Sequence, residues 1–257
     1  MAELKLEKRG HTALITMSNP PANTWTKETL QQLKQLVLDL QQDKSIYALV
    51  ITGEGDKFFS AGADLKLFAD GDKAVASDMS RVFGEAFEAL SHFHGVSIAA
   101  INGFAMGGGL EVALACDIRI AEQQAQMALP EAKVGLLPCA GGTQNLAWLV
   151  GEGWAKRMIL CGERLKAEKA EQIGLVEELV PAGQALSAAL ALAEKVSEQS
   201  PSSIKACKYL IQQGRSGTMQ SALPLERELF VALFDTKDQV EGVQAFLEKR
   251  PATWVNG

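Results

Sequence analysis

The chain has 257 residues, 47% of them apolar, and a formal net charge of −6. A chain of this length buries about 70–75% of its unfolded surface and folds without disulfide or metal staples, and its apolar content excludes a disordered chain. The acidic balance argues against a nucleic-acid surface, which needs a basic stripe, while small anionic ligands need only a few local lysines.

The start, Met1-Ala-Glu-Leu-Lys-Leu-Glu-Lys, lacks the apolar core of a signal peptide. No stretch approaches the ~18–20 apolar residues of a membrane span, so a cytoplasmic location with no membrane partner is expected. Residues 3–9 and 12–17 alternate like strands around a turn at Arg9-Gly10. A turn-rich loop follows, and Thr26 suits the N-cap of a helix running to about Gln42, with Leu30, Leu33, Val37 and Leu40 on its inner face. Residues 47–52 read as a buried strand, and 53–64 as a loop. A helix at about 74–93 carries an apolar stripe that includes Met79, Phe83 and Phe87. Residues 97–102 form another buried strand, followed by Gly107-Gly-Gly109, a short helix from Leu110 to Ala115 and a strand at 117–121.

Strands alternating with helices predict a largely parallel α/β core. From about 142 helices dominate, apart from a strand at 175–180. The tail reads as helices broken at Gly214, Gly217 and Asp235-Thr-Lys. The chain thus divides into a core over 1–195 and a helical region over 196–257.

Cys116, Cys139, Cys161 and Cys207 match no metal spacing and read as reduced thiols. His11, His92 and His94 supply neither a HExxH motif nor a triad base, so no metal is expected. The sharpest local signal is the triple glycine between a strand and a helix. It either makes a tight turn or leaves helix N-terminal amides facing a negative charge. It fits neither a dinucleotide fingerprint nor a P-loop. A second small-residue loop, Ser60-Ala-Gly-Ala-Asp64, also precedes a helix. Two such loops can each give one N–H to a single oxygen, although Asp64 also suits a helix N-cap. Glu111 stands just past the glycines, and Glu131 precedes an apolar stretch. Singly, each fits a structural role; together they fit an acid/base pair with one carboxyl ionised and one protonated.

Four segments, in order along the chain, resemble the crotonase superfamily and within it the enoyl-CoA hydratases. They are Phe59-Ser-Ala-Gly-Ala-Asp-Leu65, Ala100 to Asp117, Pro130 to Gln144, and Gly242 to Arg250. The resemblance implies a spiral of ββα units followed by a helical C-terminal oligomerisation region, assembled as a homotrimer or homohexamer. It implies reversible addition of water to a trans-2-enoyl-CoA thioester, with no cofactor beyond the coenzyme A of the substrate. Glu111 and Glu131 take the catalytic positions, and the backbone amides of Ala61 and Gly108 take the oxyanion hole. Ala22, Trp25, Ala61, Gly62, Ala63, Asp64, Leu65 and Gly107 fall at ligand-binding positions, and Lys249 at that of a 3′-phosphate contact. Cys139 stands at a water-positioning amide where a glycine is usual. Trp25 replaces a smaller aliphatic residue and either stacks on the ligand or fills the core. Double-bond isomerisation, hydrolysis and retro-aldol cleavage of acyl-CoA substrates are the alternatives within the superfamily. A non-catalytic RNA-binding relative would need a lysine-rich exposed helix, and the long helices here mix signs.

Overall fold

The computed structural model describes residues 2–257. An antiparallel hairpin of β1 (Glu3–Arg9) and β2 (Thr12–Ser18) opens the chain. The helix α1 (Lys27–Gln42) begins as expected at Thr26, whose side chain accepts from the Thr29 amide while the Thr29 hydroxyl accepts from the Thr26 amide. Its buried face is Leu30, Leu33, Val37 and Leu40.

Three strand–strand–helix units follow. The first is β3 (Ala48–Gly53), β4 (Phe58–Ser60) and α2 (Lys73–Ser91). The second is β5 (Val96–Ile101), β6 (Phe104–Met106) and α3 (Gly108–Ala115). The third is β7 (Ile118–Glu122), β8 (Gln126–Ala128) and α4 (Gly142–Leu160), the last kinked at Gly151. The first strand of each unit enters a six-stranded sheet ordered β1-β2-β3-β5-β7-β10, where β10 is Glu178–Val180. The second strand enters a four-stranded sheet ordered β4-β6-β8-β9, where β9 is Leu165–Lys166. Apart from the β1–β2 and β8–β9 pairs, all strand pairs are parallel. The chain therefore advances one unit per turn and winds as the spiral expected from the resemblance.

Parallel strands covered on both faces read as continuous apolar runs, and β3 is buried at every position. One face packs against α1 and α2 around Leu33, Ile51, Phe87 and Ile101. The other packs Leu14, Val50, Ile98 and Ile120 against Ala185, Ala189 and Ala193 of α6 (Ala185–Ser197). Between β9 and β10 lies α5 (Ala167–Gln172).

The tail is α7 (Pro201–Ser216), α8 (Met219–Ala232) and α9 (Lys237–Glu248). The expected division at 195/196 falls in the last turn of α6, and the helix break comes a few residues later, before Pro201. Gly214 does not interrupt α7, which ends instead at its C-cap Gly217; a single glycine weakens a helix by only about 1 kcal/mol. The 175–180 strand shortens to its last three residues. Among the described residues no helix is long and apolar enough to cross a membrane.

Candidate active site

The two small-residue loops meet at the end of the short sheet. The loop after β4 is held from behind by Asn23, which is buried with φ +51. Its side-chain amide donates to the carbonyls of Glu54 (3.0 Å) and Phe58 (2.9 Å). Its own carbonyl accepts from the Ser60 hydroxyl (2.7 Å), which in turn accepts from the Gly62 amide (3.2 Å). The Trp25 amide donates to the Gly62 carbonyl at 2.8 Å. Gly62 has φ +85, and a Cβ there would lie 2.7 Å from the Met106 carbonyl oxygen and 3.0 Å from the Gly108 nitrogen. Only glycine lets the two loops touch in this way.

This contact decides which amides are free. The Ala61 N–H, expected in the oxyanion hole, donates to the Ala22 carbonyl at 2.9 Å and is already satisfied. Among the described residues, no acceptor lies within hydrogen-bond reach of the Ala63 or Gly108 N–H groups. The pair open to a ligand oxygen is therefore Ala63 and Gly108. Both residues line a cavity of about 660 Å³, as do Ala61, Leu65, Gly107, Glu111, Glu131 and Cys139.

Glu111 sits in the first turn of α3 and is 2% exposed. Its Oε1 accepts from the amides of Ala140 (2.8 Å) and Gly142 (3.0 Å). Burial raises its pKa above the ordinary carboxylate range, while the amides of Ala140, Gly142 and Cys139 pull it back. Glu131 begins a 3₁₀ turn, Glu131–Val134, just after β8. Its Oε2 is buried without a partner among the described residues. Burial, with a smaller push from the Glu111 charge, lifts its pKa to about 7. One carboxyl is thus held by main-chain donors, and the other is partly buried with one oxygen left unpaired among the described residues. That is the division an acid/base pair requires.

Cys139 raised the question of whether a side chain fits a glycine position. It does, because its φ is not positive. Its amide faces Glu111, and burial together with the two carboxylates pushes its thiol up to about 11. Trp25 is 1% exposed and packs edge-on against Phe87 at 5.5 Å, so it fills the core and is not a ligand contact. Asp64 caps the 3₁₀ turn Leu65–Phe68 by accepting from the Lys66 amide. Ala22, Gly62 and Lys249 lie outside the cavity lining, with Lys249 exposed at the end of α9. Asn23 and Ser60 went unread as site residues because a turn-rich loop and a strand end carry no chemical signature. The donors Ala140 and Gly142 are invisible in sequence because they act through backbone.

Two unpaired amides lining one cavity with two carboxyls, one of them raised to a pKa of about 7, define an acid–base enzyme for a carbonyl compound. The chain belongs to the enoyl-CoA hydratase/isomerase family, whose sequence description matches residues 7–257. It is 40% identical to the 2,3-dehydroadipyl-CoA hydratase of Escherichia coli K12, covering 97% of each chain. It is 36% identical to the short-chain-enoyl-CoA hydratase of Clostridium acetobutylicum, covering 95% of this chain and 94% of the relative. Among solved structures, Pseudomonas aeruginosa DspI superposes with a TM-score of 0.96 at 67% identity, covering 98% of this chain and 96% of that one.

Proposed function

We propose that this protein is an enoyl-CoA hydratase that adds water reversibly, in the syn sense, to trans-2-enoyl-CoA and gives 3-hydroxyacyl-CoA. The observation that carries the reading is the placement of Glu111 and Glu131 in one cavity with the unspent amides of Ala63 and Gly108. The thioester oxygen lies between those two N–H groups, which stabilise the enolate as charge moves onto it; one such donor is worth about 3–4 kcal/mol in other enzymes. Glu111, whose Oε1 is held by the amides of Ala140 and Gly142, takes a proton from water as the water oxygen bonds to C3. Glu131, whose burial favours the protonated form, gives its proton to C2. The Cys139 amide helps to set the place of the water through Glu111. No cofactor beyond the coenzyme A of the substrate enters these steps.

The reading extends to the rest of the molecule. Ala22, Gly62 and Asp64 lie beside the coenzyme A portion, and Lys249 meets its 3′-phosphate. Residues 1–195 are the catalytic core, and 196–257 form the region through which copies assemble as trimers or hexamers in the cytoplasm.

The test follows loss of enoyl absorbance with purified protein and trans-2-enoyl-CoA substrates, comparing Glu111→Gln and Glu131→Gln with the wild type. Each variant is expected to lose at least about 10²-fold in turnover. Near-normal turnover in either would overturn the assignment. A shifted double bond or free coenzyme A as product would move the chain to isomerase or hydrolase chemistry.

A further inference from the structure

The cavity that holds the two glutamates is larger than the reacting atoms need. At its inner end, a Cβ on Gly108 would come within 2.9 Å of the Phe83 ring, so that ring stands beside the oxyanion amide. Ala76, two turns earlier in α2, lines the same cavity. Seven residues of α-helix place it about 10 Å further along. The facing walls include Leu65, Val134, Leu136 and Leu137, each 44–69% exposed. Exposed apolar side chains gathered around a cavity mark surface that a ligand covers. Among the described lining residues Lys133 is the one cation, and its stem packs against Gly162, just beyond α4. Similarity does not choose a substrate, since the relatives named above are described for both short-chain and dehydroadipyl substrates.

From these walls we propose that the acyl substrate is an uncharged chain well beyond four carbons, running from the glutamates past Phe83 to Ala76, and that Ala76 sets where it leaves the cavity. The proposal rests on the hydratase reading and names its substrate class. Each methylene laid on the wall raises kcat/KM about fourfold, the equivalent of about 0.8 kcal/mol. The gain stops where the chain passes Ala76 and enters water.

The experiment measures kcat/KM for crotonyl-, hexenoyl-, octenoyl- and decenoyl-CoA and for 2,3-dehydroadipyl-CoA, with the wild type and with Ala76→Trp. Ala76 is exposed, so the indole has room and the fold is not at stake. In the wild type, kcat/KM should climb from crotonyl to decenoyl, and dehydroadipyl should fall below hexenoyl. In Ala76→Trp the decenoyl-to-crotonyl ratio should drop by about tenfold. A flat series, a preference for crotonyl or dehydroadipyl, or a ratio untouched by the tryptophan would overturn the proposal while leaving hydration intact. If no enoyl-CoA is hydrated, calorimetry with saturated butyryl- and decanoyl-CoA separates the two readings. Tighter decanoyl binding that weakens in Ala76→Trp would uphold the wall and reject the hydratase; equal affinities would reject the wall as well.

Discussion

Two residues of one type do opposite work here because their neighbours differ. Glu111 is the more buried, yet it meets amide donors at 2.8 and 3.0 Å. Glu131 is less buried but has an oxygen with no partner among the described residues, and its pKa rises to about 7. In the hydration direction, activity should therefore fall on the alkaline side with a midpoint near that value, as Glu131 loses the proton it must donate. It should also fall in acid as Glu111 is protonated. Glu131→Gln should abolish the alkaline limb in the residual rate. The same shift acts on stability. A carboxyl whose folded pKa lies above its unfolded value is harmless while protonated in both states. It destabilises as pH rises from about 4.5 through about 7, because ionisation is then easier in the unfolded chain. Glu131→Gln should accordingly be more stable than wild type at pH 8 by about 1–2 kcal/mol, discounted for the part of the carboxyl that water still reaches. The two should match near pH 4. Thermal melts at both values check the sign, and equal melts at pH 8 would place Glu131 in water.

At the scale of elements, the site depends on how closely α3 approaches β4. A Cβ on Gly109 would overlap the Ser60 carbonyl, so the helix start lies directly on the strand end. Gly109→Ala should push the helix back and carry the Gly108 amide and Glu111 with it. The expected result is a loss of about 1–3 kcal/mol from overpacking, with kcat falling more than KM rises. Denaturant unfolding and steady-state kinetics on the same preparation would separate the two effects. The long elements were legible in sequence because they carry enough residues to show a period, as in the α2 stripe of Met79, Phe83 and Phe87. The second strand of each unit was not. With three residues apiece, β4, β6 and β8 show no alternation, and only the family resemblance supplied them. The carboxylates were legible for the same reason as the glycine loop beside them, since both belong to a motif. Which amide of Ala61-Gly-Ala63 is free was not legible. That depends on the distant Ala22 carbonyl, a tertiary contact with no sequence period.

Across the whole molecule, the helical tail is tied to the core by a few polar contacts, with little apolar packing of its own. Lys208 of α7 meets Asp117 at 2.7 Å and the Gly95 carbonyl at 3.0 Å. Asp238, 1% exposed, accepts from the Ser202 hydroxyl and the amides of Val255 and Asn256, pinning the last residues to α7 and α9. Pro201 and Ala245 are buried and Ile204 packs on the core, but many of the larger apolar side chains of the tail are exposed. No residue of α8 is buried. Phe230, Val231 and Phe234 are each more than half exposed, as are Phe246 and Leu247 of α9. That many exposed aromatic and aliphatic side chains on adjoining helices mark a face that another surface covers. Two bulky rings per chain carry a disproportionate share of such an interface. The wild type should therefore sediment at micromolar concentration as a multiple of three chains, whereas Phe230→Asp with Phe246→Asp should sediment as single chains. Because the substituted positions are exposed in the lone chain, the double variant should keep its circular dichroism while its melting temperature falls, since assembly stabilises only the folded state. A wild type that sediments as one chain, or a double variant that keeps both its size and its melting temperature, would show that these helices are not where copies of the protein meet.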